Sequence, residues 1–250
     1  MDQIGLISLI GLIGLVLGSF VNVLIYRLNT LGVPKFWQGR SFCPNCKHTL
    51  NWFDNIPVIS FIVIRGRCRY CKKPISWQYP VVELTTAIAF VLLVQLGKLD
   101  LIYFILTIVF LVIFFSDVIY GLIPDEMIYL GVFIAIVYQL AASPSLLAPS
   151  LLIAILVRFG FLLIVWLTKY KGMGLGDIKL GFLMGLVLGW PRILIAIWAG
   201  FIVGGLVSVV LLVLKRLRLS ATIPLGPFLI IGTLISALWT DKILRFIGIG

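Results

Sequence analysis

The chain has 250 residues, 62% of them hydrophobic and only 12% charged, and its mean hydropathy is +1.19. A soluble domain of this size is closer to half apolar, so an ordinary water-soluble enzyme is excluded. The net charge of +11 would suggest nucleic acid in a soluble protein. Here the basic residues fall between apolar runs and form no stripe on a polar helix, so they point to membrane topology and anionic lipid, with no nucleic-acid partner.

In chain order, residues 4–25 form the first apolar run. It follows Asp2, has no basic start, and is long enough to cross a hydrocarbon core of about 30 Å. These features predict a retained transmembrane helix, not a cleaved secretory leader. Residues 27–80 are the only extended polar segment and hold all four Cys, the single His and nine basic residues. They predict a small extramembrane domain. Apolar runs then resume at 81–96, 101–116, 127–142, 151–168, 178–190, 193–214 and 224–239. Gly97, Pro124, Pro144, Pro149, Gly172, Gly176, Pro191 and Pro224 read as the breaks between them. The expected fold is an all-α polytopic membrane protein of about eight transmembrane helices. Its parts are a first helix at 1–26, the Cys-bearing domain at 27–80 and a seven-helix membrane domain at 81–250. No internal repeat stands out.

Eight crossings can be oriented by the positive-inside rule. With the N-terminus outside, the inside segments hold fifteen of the twenty Lys and Arg: those from Arg27 to Lys73 (Lys35 among them), Lys169, Lys171, Lys179, Lys215, Arg216 and Arg218. Outside lie Lys98, Arg192, Lys242 and Arg245, and Arg158 falls within a helix. The bias places the Cys-bearing domain in the cytoplasm.

The cysteines read Cys43-Pro-Asn-Cys46 and Cys68-Arg-Tyr-Cys71, with 21 residues between the pairs. Two CxxC turns at this spacing suit a tetrahedral zinc site of four thiolates. Lys47, Arg67, Arg69 and Lys72 favour the thiolate forms. Two disulfides or free thiols are the alternatives, and a cytoplasmic setting disfavours stable disulfides. A closed four-thiolate site would be structural, stapling a domain too small to rely on its core. His48 reads as a surface residue, not a ligand.

Five of the nine acidic residues lie in or beside apolar runs: Glu83, Asp117, Asp125, Glu126 and Asp177. A carboxylate at membrane depth is costly and asks for a reason. Helix N-capping would explain Asp125 and Glu126 after Pro124, and would serve for Asp177. It does not explain Asp117, which follows an apolar run where a helix dipole opposes negative charge. Gly172, Gly174 and Gly176 before Asp177 permit close backbone approach. Two aspartates brought together can share a proton, one acting as general base on water while its partner polarises a scissile carbonyl. The chain has no HExxH and no GxSxG motif to offer other hydrolytic chemistry.

The Gly-x-Gly-Asp segment at Gly174, Gly176 and Asp177 resembles that of the GxGD intramembrane aspartyl proteases. Four further segments narrow the resemblance: Asp117 with Ile123-Pro124-Asp125, Gly18-Ser-Phe-Val-Asn22-Val-Leu-Ile-Tyr-Arg27, the paired CxxC turns, and Tyr79-Pro-Val-Val-Glu83. Together they are similar to the bacterial type IV prepilin peptidases, which are also leader peptidase/N-methyltransferases. The resemblance implies an enzyme of the bacterial inner membrane that removes the basic leader from type IV prepilins or pseudopilins at the cytoplasmic face. It then methylates the new N-terminus with S-adenosylmethionine. It also implies that Asp117 and Asp177 are catalytic, that Asp125 and Lys179 are supporting positions, and that Asn22, Arg27 and Glu83 lie near the methyl-transfer site. The alternatives are a protease without methyl transfer, a proton-coupled transporter, whose inverted repeats are not seen, and a non-catalytic membrane scaffold with a zinc module.

Overall fold

The computed structural model describes residues 3–30, 39–169, 173–215 and 223–247. Lys35, Lys171, Gly172, Arg216 and Arg218 lie outside the described residues, so one of the three glycines before Asp177 and four of the topology-setting cations are not placed. Among the described residues the helices are α1 (Gln3–Thr30), a 3-10 turn (Trp52–Asn55), α2 (Ile59–Val63), α3 (Gln78–Gln95), α4 (Leu101–Tyr120), α5 (Asp125–Ala142), α6 (Pro144–Leu167), α7 (Leu175–Leu188), α8 (Arg192–Val213) and α9 (Gly226–Ile247). Each of the eight apolar runs coincides with one helix. Six of these helices (α1, α3, α4, α5, α6 and α8) are long and apolar enough to cross a bilayer. At 14 residues α7 spans roughly 21 Å, short of a 30 Å core.

Two boundaries differ from the sequence expectation. The polar Asp117 does not end α4; the helix continues to Tyr120 and stops at Gly121, whose φ of +64° terminates it while its N–H reaches the Asp117 carbonyl. Pro149 does not divide two runs. It lies inside α6, which starts at Pro144. A proline in the second turn removes one backbone bond near a helix start, where the helix tolerates it best.

The chain forms two compact units, Met1–Phe115 and Ser116–Gly250. This division falls within α4 and not at residues 26 and 80, because α3 packs with α1 along its length.

Lipid offers no hydrophobic drive between helices, so close contact must come from small residues that let backbones meet. In the first unit, Gly14 and Gly18 of α1 form such a strip against α3. A Cβ at Gly14 would lie 2.6 Å from the Ala87 Cα, and one at Gly18 would lie 2.6 Å from the Glu83 Cα. In the second unit, Gly185 of α7 meets Ala154 of α6 in the same way, and Gly232 of α9 meets the Ala196 carbonyl of α8. The short α7 is the core helix of this unit, with Leu180, Leu183, Met184 and Leu186 wholly buried.

Candidate active site

The second unit brings the two aspartates together. Asp117 sits in the last turn of α4 and Asp177 in the first turn of α7, and both are buried. They stand close enough for the charge of one to act on the other. Asp177 also does what helix capping asks of it: its Oδ2 accepts the Gly174 N–H at 3.0 Å, satisfying a free donor at the start of α7. Capping and a place in the pair are therefore compatible. One carboxylate oxygen anchors the side chain to its own helix, which fixes the rotamer.

The second motif glycine has a separate cause. A Cβ at Gly176 would lie 3.1 Å from the Ile123 side chain. Ile123 follows Asp117 by six residues, in the short link before α5, and its half-buried side chain also reaches a third glycine, Gly226, at the start of α9. A Cβ at Gly226 would lie 3.2 Å from Ile123 Cδ1 and 2.5 Å from Asp117 Oδ2. The Gly226 N–H faces the Asp117 carboxylate. Oδ2 itself is buried without a hydrogen-bond partner among the described residues.

In the sequence Ile123 stands out only as part of the Ile-Pro-Asp125 motif, and Gly226 does not stand out at all. Gly226 lies between Pro224 and Pro227, and Pro224 alone reads as a break between apolar runs. A glycine held between two prolines was the signal available.

Asp125 and Lys179 form a second pairing across the same link. Lys179 Nζ donates to both Asp125 oxygens at 2.7 Å. Asp125 begins α5 without capping it. Its carboxylate instead ties α5 to α7 at Lys179, two residues beyond Asp177. Both side chains are substantially exposed, which suits a brace and not a third buried acid.

The residues set apart for the methyl-transfer site all lie in the first unit, and all three are buried. Asn22 Nδ2 donates to the Tyr79 carbonyl at 3.1 Å, tying α1 to the start of α3. Asn22 Oδ1 is buried with no partner among the described residues. Glu83 accepts the Val58 N–H at 2.8 Å and the Ser19 hydroxyl. Arg27 Nη2 donates to the Gly39 carbonyl at 2.7 Å. The interior of this unit therefore contains an open acceptor beside a buried carboxylate.

The four thiols converge as well. Cys43, Cys46, Cys68 and Cys71 place their Sγ atoms within 4.8 Å of one another, and all four are free. The Cys43 to Cys71 separation of 4.0 Å is near the roughly 3.8 Å edge of a tetrahedron with 2.3 Å metal–sulfur bonds. The second hairpin repeats the first with an offset of 25 residues. Cys43 N–H donates to His48 O and Cys68 N–H to Lys73 O, and Lys47 and Lys72 share a φ of about +60°. N–H groups of Cys71 and Tyr70 bring the Cys68 thiol down to about 7. The Cys46 thiol, despite an N–H from His48, is pushed up to about 11 by desolvation and by the Cys43 and Cys71 sulfurs. Crowded thiolates repel, and a divalent cation resolves that conflict. The donor set thus fits a metal ion. His48 is exposed and stacks on Tyr70 at 3.7 Å, consistent with its reading as a surface residue.

Residues 12–96 match the bacterial peptidase A24 N-terminal domain, and residues 104–209 match the type IV leader peptidase family. The prepilin leader peptidase/N-methyltransferase of Aeromonas hydrophila is 32% identical, with 96% of this chain and 92% of that protein covered. Proteins of the same name from Legionella pneumophila and Pseudomonas putida are 31% and 30% identical. The matches cover 95% and 97% of this chain, and 92% and 94% of those proteins. No solved structure matches the chain. Paired buried aspartates, clustered thiols and relatives similar over nearly the full length lead to one conclusion: the chain belongs to the prepilin leader peptidase/N-methyltransferase family.

Proposed function

We propose that this chain cleaves the leader of type IV prepilins or pseudopilins with Asp117 and Asp177, and methylates the N-terminus so released. The observation that carries the reading is the meeting of these two carboxylates, from opposite ends of α4 and α7, in the interior of the second unit. In this reading the two carboxyl groups hold one proton between them. The ionised member takes a proton from water as it attacks the scissile carbonyl, and the protonated member hydrogen-bonds the carbonyl oxygen. Collapse of the tetrahedral intermediate returns a proton to the leaving amine. Gly174 orients Asp177 throughout, and the Asp125–Lys179 brace holds the link that follows Asp117.

For methyl transfer, S-adenosylmethionine supplies an electrophilic methyl group to the pilin amine. Asn22 Oδ1, the acceptor left open, is suited to receive an amine N–H, and Glu83 supplies the neighbouring negative charge. Arg27 holds the end of α1 to Gly39. The four cysteines are assigned to a structural zinc, whose closed tetrahedron would join the two hairpins of residues 27–80. The peptidase chemistry belongs to residues 81–250, and the methyl-transfer chemistry to the part before them together with Glu83 at the start of α3. The excess of Lys and Arg between alternate apolar runs supports an N-terminus outside the bacterial inner membrane and a cytoplasmic thiol module.

The test uses the full chain in lipid vesicles with a prepilin and labelled S-adenosylmethionine. Asp117→Asn and Asp177→Asn are each expected to lower cleavage by about 10²- to 10⁴-fold. Both variants are expected to methylate a pilin supplied without its leader. Cleavage at the wild-type rate by either variant overturns the aspartate assignment.

A further inference from the structure

The polar segment between α1 and α3 contains an apolar stretch of its own, residues 56–64, without a single charge. We propose that this stretch is a membrane-docking element: α2 lies in the headgroup–acyl boundary of the leaflet on the thiol-module side, and the partner is an anionic lipid surface.

Depth is the first argument. The Val58 N–H donates to Glu83 Oε2 at 2.8 Å, so the start of α2 is fastened to a side chain of α3. Glu83 lies five residues into α3, about 7–8 Å along the helix axis. Its Cα stands directly against Gly18 of α1. The uncharged run of α1 ends at Arg27, nine residues or about 13 Å beyond Gly18. The Glu83 side chain leans back towards the α3 N-terminus, as helical side chains do. The fastening therefore sets α2 at the rim of the hydrocarbon core and not out in the aqueous phase. Val58 holds a φ of +59°, an unfavourable conformation for a β-branched residue, and the carboxylate bond helps to fix it there.

The second argument is what α2 presents. Ile59, Ile62 and Val63, at helical spacing on one face, are 61%, 66% and 67% exposed. Phe61, on another face, stacks on Trp77 at 5.0 Å, just before α3 begins. Trp77 and Trp52 are themselves exposed. Tryptophan with aliphatic side chains at one level is the composition of a bilayer interface. In water these side chains would form an apolar patch needing cover.

The third argument is the charge beside the patch. Arg65 and Arg67 follow directly and are exposed, as are Lys72 and Lys73 in the second thiol hairpin. A basic rim next to an apolar face matches a leaflet of negative headgroups. Docking would keep the thiol hairpins at the membrane surface, beside Asn22 and Glu83, where a cleaved pilin still anchored by its apolar helix presents its N-terminus.

The test places the photoreactive residue benzoylphenylalanine at Ile62, and separately at Val63, in the full chain. Each variant is reconstituted into vesicles of phosphatidylethanolamine and phosphatidylglycerol, irradiated and digested for mass spectrometry. Phospholipid adducts are expected at both positions and none at Asn45, an exposed residue of the first hairpin. Replacing phosphatidylglycerol with phosphatidylcholine should lower the adduct yield. Adducts only to protein at 62 and 63, or none, would overturn the docking element. Equal lipid adducts at Asn45 would reduce it to non-specific contact, and a yield indifferent to phosphatidylglycerol would remove the role of the basic rim.

Discussion

Gly226 gives Asp117 the space in which it stands. A Cβ at that position would lie 2.5 Å from Asp117 Oδ2, closer than real side-chain contacts allow, and would press Ile123 at the same time. The glycine that opens α9 is thus as much a part of the aspartate pair as the two motif glycines that precede Asp177.

Gly226→Ala is therefore expected to turn the Asp117 carboxylate away from its partner. Displacement of a reacting group by about 1 Å can lower a rate on the order of 10²-fold. The loss should appear in kcat for leader cleavage, with KM little changed, while methyl transfer to a leaderless pilin continues. Equal loss of both activities would mean that the substitution unfolds the chain instead.

The Asp125–Lys179 pair should matter far less. Exposed ion pairs contribute about 0.2–1 kcal/mol, so Lys179→Ala should lower cleavage by no more than about fivefold. Asp125→Asn should do the same, and the double variant should be no worse than either single one. Salt should narrow the gap between wild type and variants, since screening weakens the pair. A loss of several orders of magnitude from Asp125→Asn would instead make this residue a reacting acid.

The thiol cluster predicts about one zinc per chain by elemental analysis. Cys43→Ser should abolish binding, because three thiolates do not close the tetrahedron. Methyl transfer is expected to fail with it, whereas leader cleavage should persist. Metal-free protein with intact thiols would remove the zinc assignment.

The α1–α3 contact predicts a defect of packing. In Gly18→Ala the new methyl meets the Glu83 backbone, which cannot yield as a flexible side chain would. Overpacking of this kind costs about 1–3 kcal/mol. It should lower the thermal midpoint in detergent and impair methyl transfer by displacing Glu83 and Asn22.

Much of this was legible in the sequence. The eight apolar runs each coincide with a helix because polar and breaker residues punctuate them, and the paired CxxC turns read as a four-thiol cluster because the turn itself brings two sulfurs together. Asp117 and Asp177 stood out because carboxylates beside apolar runs are rare. What was hidden depends on contacts between distant segments. No local pattern shows that Ile123 will wedge between Gly176 and Gly226, or that Lys179 will find Asp125. The end of α4 was misread because helix termination was assigned to the first charge, when Gly121, four residues later, supplies the stop. The repeat of the thiol hairpins was missed because outside the Cys, Lys and Trp positions (Trp52 and Trp77 share the same offset) it is carried by backbone bonds and not by side-chain identity.

That repeat makes the polar module an intramolecular dimer. Each hairpin brings two sulfurs and cannot close a metal site alone, so metal capture is an association of two half-sites. Their effective concentration is governed by the 21 residues between Cys46 and Cys68. The tether is not passive chain, for it contains α2 and the Val58–Glu83 fastening. Whatever restrains α2 shortens the tether's range, so metal affinity and the anchoring of α2 become two readouts of a single equilibrium.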